Sequence, residues 1–221
     1  TPLEVSIFFS LFCHTQSYHF TSHTSNTQGI IEGVADKNNV IISDTDDVES
    51  AVKAAQEADI TIVIAGCTSG KRFNVFLTLL LTHSLTHSLT HSHTHTYIHK
   101  GEGKDRKDLS LDHDADSLIQ TLAREVGNKT RIVVLIQAPG AVIISPWIDL
   151  VDAAAIMFLG GQQTGDAWRN VLFGAYNPTG RLPIMMPISE NDTISPGQGS
   201  TVTYDEGMMT SYRNKNFNYT F

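Results

Sequence analysis

Ile60-Thr-Ile-Val-Ile-Ala65-Gly66 is an unbroken apolar, β-branched run closed by glycine. Hydrophobicity that is continuous rather than alternating marks a strand covered on both faces, as in a parallel sheet. Arg131-Ile-Val-Val-Leu-Ile136 repeats the pattern and is closed by Ala-Pro-Gly. Ala153 to Leu159 is a further run, ended by Gly160-Gly161, and Val40-Ile-Ile-Ser43 is a shorter one upstream. Helical patterns lie between them. Asp46-Asp47 caps a helix through Ala58, with Val48, Val52 and Ala55 on one face. Asp114 to Val126 reads as a second helix with Leu118, Leu122 and Ala123 inward, and Gln163 to Phe173 as a third, stopped by Gly174 and Pro178. Pro146-Trp-Ile-Asp is a short helical turn. Strands alternating with helices specify an α/β fold, a mainly parallel sheet flanked by helices. Ligands of such sheets bind at the carboxyl ends of the strands, so the loops after Ala65, Gln137 and Leu159 are expected on one rim.

The chain has 221 residues, 41% hydrophobic, with a formal net charge of −8. The acidic balance argues against nucleic acid as a partner, because phosphate recognition needs clustered Lys and Arg. A neutral substrate is compatible with it. Phe73 to Leu81 is too short to span a bilayer, which leaves no membrane partner to expect. Cys13 and Cys67 cannot form a disulfide framework. Three sequons, at Asn128, Asn191 and Asn218, permit glycosylation in a secreted protein. The first residue is Thr1 rather than Met, so an upstream segment is expected.

Two segments do not read as protein. Thr82 to Ser92 repeats Thr-His-Ser-Leu, the translation of a tetranucleotide repeat, and His93 to His99 continues in the same manner. Gly70-Lys71 can be encoded with a splice-donor consensus, as can Val5-Ser6, and Gln28 can supply an acceptor. Residues 5–28 and 71–101 are therefore expected to be non-native insertions, retained introns of low complexity or disorder, within a single domain over 1–221. His83, His87 and His91 are spaced i, i+4, i+8 and would align on a helix as metal ligands. The Thr and Ser between them are poor helix formers, and no carboxylate is interleaved to orient the imidazoles.

Joined across the second segment, the loop after the Ile60 strand reads Gly66-Cys-Thr-Ser-Gly70, then Glu102-Gly-Lys-Asp-Arg-Lys-Asp-Leu-Ser-Leu111. A carboxyl on a loop at the strand ends suits a proton donor to a leaving group. This stretch resembles the EGxDRxxLxL motif of the family 3 glycoside hydrolases, the β-glucosidases and β-xylosidases. Gly161-Gln-Gln-Thr-Gly-Asp-Ala167 resembles the family's GQ(E/Q)xGxA turn. Val171-Leu-Phe-Gly-Ala-Tyr-Asn-Pro-Thr-Gly-Arg-Leu-Pro183 is similar to its DVLFGxxNPSGRLP block, and Tyr204-Asp-Glu-Gly-Met-Met-Thr-Ser-Tyr-Arg213 to its YxEGxxxGYR segment.

The resemblance implies the α/β sandwich that follows a (β/α)8-type barrel. The implied reaction is retaining hydrolysis of β-linked oligosaccharides or aryl and alkyl glycosides, with no cofactor and no metal. It makes Glu102 the acid/base and puts the nucleophilic Asp on the missing N-terminal barrel domain. The chain is then expected to be a fragment of a secreted, extracellular or vacuolar enzyme, inactive alone. Asp105 and Arg106 are expected to pair and shape the loop, and are candidates for substrate contact. Trp147, after a proline in a strand-end loop, is the better of the two tryptophans for stacking on a sugar; mid-helix Trp168 is expected to pack. Arg181 and Glu206 read as structural, and Gly160, Gly161 and Gly165 as a tight strand-to-helix turn. The alternative is a non-catalytic carbohydrate-binding or scaffold domain on the same fold.

Overall fold

A computed structural model describes residues 5–10, 40–42, 47–67, 76–80, 106–158, 160–161, 163–194 and 203–220. The strands are β1 (Val5–Ser10), β2 (Val40–Ile42), β3 (Ile60–Gly66), β4 (Phe76–Leu80), β5 (Arg131–Gln137) and β6 (Ala153–Met157). The helices are α1 (Val48–Gln56), α2 (Ala115–Val126) and α3 (Thr164–Leu172). One sheet runs in the order β2-β4-β1-β3-β5-β6, parallel except for β4, which is antiparallel to β1 and β2. The expected α/β architecture is the one found. Each of the two odd segments supplies one strand, β1 within 5–28 and β4 within 71–101; the rest of both segments lies outside the described residues.

The continuous apolar runs behave as their composition requires. β3 is buried from Thr61 to Gly66, and β5 from Val134 to Gln137. Alternation sends Val63, Ala65, Ile132, Val134 and Ile136 into one cluster with Ala51 and Ala55 of α1 and Leu118, Ile119, Leu122 and Val126 of α2. Ile62, Ile64 and Leu135 are buried outside that cluster, as is Trp168 of α3. Both faces of the central strands are therefore shielded from water, which is the main source of their stability.

Helix α1 corrects one expectation. Asp47 is its N-cap, with Oδ1 accepting from the backbone N–H groups of Glu49 and Ser50. The buried stripe is Ala51, Ala54 and Ala55, whereas Val48 is exposed. Small side chains let α1 lie close to α2, and Gln56 Nε2 donates to the Glu125 carbonyl across the pair. The α1 carboxyl end is tied to the start of β5 by Thr130. Its buried hydroxyl lies 2.8 Å from the Ala55 carbonyl oxygen and 2.7 Å from that of Ala58.

The strand register places the rim. Gly66, Gln137 and Met157 are lateral neighbours at the carboxyl ends of β3, β5 and β6. Cys67 N–H donates to the Gln137 carbonyl and Ala138 N–H to that of Met157, so the chain leaves all three strands at one level. The expected common rim is present. Among the described residues no helix is long and apolar enough to cross a membrane.

Candidate active site at the carboxyl rim of the sheet

Glu102 and Asp105 lie outside the described residues, and so does any Asp105–Arg106 pair. The description resumes at Arg106, and the segment from there to Leu111 is fastened to the body at every second or third residue. Arg106 is half-buried. Its Nη1 donates to the Ala141 carbonyl at 2.9 Å, in the loop after β5, and lies 3.2 Å from the Sγ of Cys67, at the end of β3. The guanidinium thus bridges two rim loops.

Leu109 is bound on both sides of its backbone. Its N–H donates to Glu190 Oε1 at 2.6 Å, and its carbonyl accepts from Ile143 N–H at 2.9 Å. The Ser110 N–H and hydroxyl both donate to Asp108 Oδ1. Leu111 N–H donates to Asp116 Oδ2 at 3.0 Å. The other oxygen of Asp116 accepts from the Trp147 indole N–H at 2.6 Å. Burial raises the Asp116 carboxyl above the usual range, against the lowering effect of the Trp147 and Leu111 hydrogen bonds; Asp108 and Asp114 nearby add to the rise.

Trp147 is corrected by this geometry. Its ring is wholly enclosed, the largest of the fully buried side chains, so neither face is open to a sugar. It packs the core and orients Asp116. A proline beforehand and a rim position were compatible with an exposed platform. Its contact with a carboxylate on α2, 31 residues earlier, draws it inward. Trp168 is buried, as expected of a packing residue, and its indole N–H has no hydrogen-bond partner among the described residues. Arg181 is exposed. Gly161 has φ +74°, and a side chain at Gly160 would meet Met157 and Thr164 at 2.5 and 2.8 Å, which accounts for both glycines in that turn.

An open groove of about 200 Å³ is lined by Ala141, Pro187, Asp192, Glu206, Phe217 and Tyr219 among others. Asp192 stands in it with both oxygens engaged: Oδ2 accepts from Ser189 N–H and hydroxyl, and Oδ1 from the backbone and side-chain amides of Asn218. These donors hold its carboxyl below the usual range. Asp116, Glu190 and Asp192 did not stand out in the sequence. Only Ser189-x-x-Asp192, a capping-box pattern, carried a local signal. Among the described residues no group of three or more His, Cys, Asp or Glu could hold a metal ion, and the His83, His87 and His91 tract lies outside them.

Residues 12–212 match the glycosyl hydrolase family 3 C-terminal domain. The chain belongs to this family. Curated relatives of this family 3 domain include a β-glucosidase of Schizophyllum commune, 31% identical over 78% of this chain and 80% of that protein. Another is the thermostable β-glucosidase B of Acetivibrio thermocellus, 28% identical over 75% of this chain but 18% of that protein. Solved structures of like fold include a β-D-glucoside glucohydrolase from Trichoderma reesei, with TM-score 0.54 and 25% identity over 76% of this chain and 20% of that one. A family 3 β-glucosidase from Bifidobacterium adolescentis matches with TM-score 0.50 and 27% identity over 75% of this chain and 21% of that one. The family 3 domain described here thus spans about a fifth of those solved chains.

Proposed function

We propose that this chain is the acid/base-bearing domain of an exo-acting, retaining β-glucosidase. Glu102 protonates the glycosidic oxygen as the bond to the anomeric carbon breaks. As a carboxylate it then takes a proton from the water that hydrolyses the glycosyl-enzyme. An Asp on a barrel domain outside these residues supplies the nucleophile, about 5 Å from Glu102 as a retaining pair requires. Asp105 and Arg106 shape the loop between the two domains and border the sugar. The chain alone has no hydrolytic activity. Residues 5–28 and 71–101 are retained introns, and the enzyme acts in an extracellular or vacuolar setting, in keeping with its sequons.

The observation that carries this reading is the anchoring of Arg106. Four residues after Glu102 in a loop that matches the family's motif, it is bound to the loop after β5 at the carboxyl rim, where sheets of this class place their chemistry. The test compares the isolated chain, the full-length gene product and its Glu102→Gln variant on β-glucosides with poor (alkyl) and good (dinitrophenyl) leaving groups. The isolated chain should be inactive. Glu102→Gln should abolish kcat/KM on alkyl glucosides and spare kcat/KM on dinitrophenyl glucosides, because only the former need protonation as the glycosyl-enzyme forms; kcat should fall on both, since hydrolysis of that intermediate loses its base. Turnover by the isolated chain would overturn the need for a second domain, and equal losses of kcat/KM on both substrates would overturn the acid role.

A further inference from the structure

We propose that Asn128 is an N-glycan acceptor that is open only before the domain folds. The proposal deepens the extracellular or vacuolar setting given above and rests on it. Asn128-Lys-Thr130 occupies the turn between α2 and β5. Gly127, at φ +53°, ends α2 and starts this turn. Gly127, Asn128 and Lys129 are exposed, whereas Val126 and Thr130 on either side are buried. The Asn128 side chain has no hydrogen-bond partner among the described residues. The turn lies at the amino end of β5, the pole opposite to the rim. At about 3.3 Å per residue, Arg131–Gln137 puts about 20 Å between the two poles. A bulky, solvated oligosaccharide at Asn128 therefore stands clear of the strand ends. The other two sequons lie elsewhere, around Asp192: Asn191 precedes it in the Glu190–Asp192 turn, and Asn218 Nδ2 donates to its Oδ1 at 3.1 Å.

The timing follows from Thr130. A sequon needs Ser or Thr two residues after the asparagine, because the transferase recognises that hydroxyl. In the folded domain the Thr130 hydroxyl is enclosed, 2.8 Å from the Ala55 carbonyl oxygen and 2.7 Å from that of Ala58. The group that must be presented for transfer is thus the group that ties the start of β5 to the end of α1. Transfer comes first. The Asn128 Nδ2 attacks the anomeric carbon of an oligosaccharide held on a lipid diphosphate. The C–N bond forms as the bond from that carbon to the phosphate oxygen breaks; the lipid diphosphate leaves with the electron pair, and the nitrogen gives up one proton. Thr130 then turns inward, and the exposed turn carries the glycan outward.

The test has two arms. In the first, the full-length gene product is secreted from a yeast host behind a host signal peptide. It is treated with peptide N-glycosidase in heavy-oxygen water, and the peptide containing Asn128 is read by mass spectrometry. Most secreted molecules should carry the label at Asn128, and Asn128→Gln should be secreted lighter by one glycan. An unlabelled Asn128 in secreted protein would overturn the proposal. In the second arm, folded, unmodified protein from a bacterial host is incubated with microsomes that hold the transferase and the lipid-linked oligosaccharide, beside a synthetic peptide spanning Glu125 to Val134. Asn128 should be modified at least about tenfold more slowly in the folded protein than in the peptide, because only opened molecules present the Thr130 hydroxyl. Equal rates would overturn the claim that folding closes the site. If protein from its native source lacks the glycan while the yeast product carries it, the extracellular or vacuolar setting falls and the acceptor assignment stands.

Discussion

Replacing Trp147 by Phe keeps an aromatic ring in the core and removes one donor. The indole N–H sits 2.6 Å from Asp116 Oδ1, a short hydrogen bond to a carboxylate in a partly buried site. Hydrogen bonds to charged groups contribute about 1.5–3 kcal/mol. Trp147 has no exposed surface, so the space left by the lost five-membered ring adds about 1 kcal/mol. The expected destabilisation is about 3 kcal/mol, or roughly 6–12 °C in Tm for a chain of this length.

The deficit should also depend on pH. Burial holds the Asp116 carboxyl above 3.8, and the Trp147 hydrogen bond is the larger of the two contacts that pull it down. A raised folded value means the native state keeps its proton where the unfolded chain has lost it. The stability contribution of Asp116 therefore falls as pH rises from 3.8 through the folded value. Without the indole the folded value rises further, so the variant loses more at neutral pH than below 3.8. Urea unfolding followed by far-ultraviolet circular dichroism at both pH values measures this without relying on tryptophan fluorescence. A deficit under about 0.5 kcal/mol, or one equal at both pH values, would refute the charged-acceptor account.

Three further outcomes follow from single contacts. Asp47→Ala should cost about 1 kcal/mol of stability through loss of the α1 cap, and Asp47→Asn should recover most of it, as read by thermal unfolding. Thr130→Val keeps the shape of the side chain but removes the hydroxyl that lies against the Ala55 and Ala58 carbonyls; the Ala55 carbonyl keeps the Ala58 N–H, so the cost falls on Ala58 and should be about 1–3 kcal/mol; Asn128→Gln, which removes the same sequon, should cost almost nothing in an unglycosylated protein. Asp192 is held below 3.8, so its contribution is complete above that pH and is lost as pH falls through the lower folded value; Asp192→Asn should flatten the acid limb of a Tm-against-pH curve, and an unchanged limb would rule out its role there.

The structure bears out the readings that rest on local pattern. An apolar run such as Ile60–Gly66 has to be covered on every side, and its shortness, its β-branched residues and the closing glycine favour a doubly covered strand over a buried helix. The caps at Asp47 and the glycine stops act within a few residues, and these too were visible. The face of α1 was visible only in part: Val52 and Ala55 pack on the core and Ala51 and Ala54 are buried with them, whereas Val48 is exposed.

The sequence by itself determined the alternation of strand and helix, the common rim at the strand ends, the motif order that marks a family 3 domain and the position of Glu102 within that motif. Tertiary structure alone decided that Trp147 is sealed inside rather than offered to a sugar. It alone brought Glu190 to Leu109 and Arg106 to Ala141. The physical reason is range. Periodicity and capping are set by neighbours along the chain, whereas a carboxylate that meets a backbone amide 81 residues away leaves no mark in either stretch.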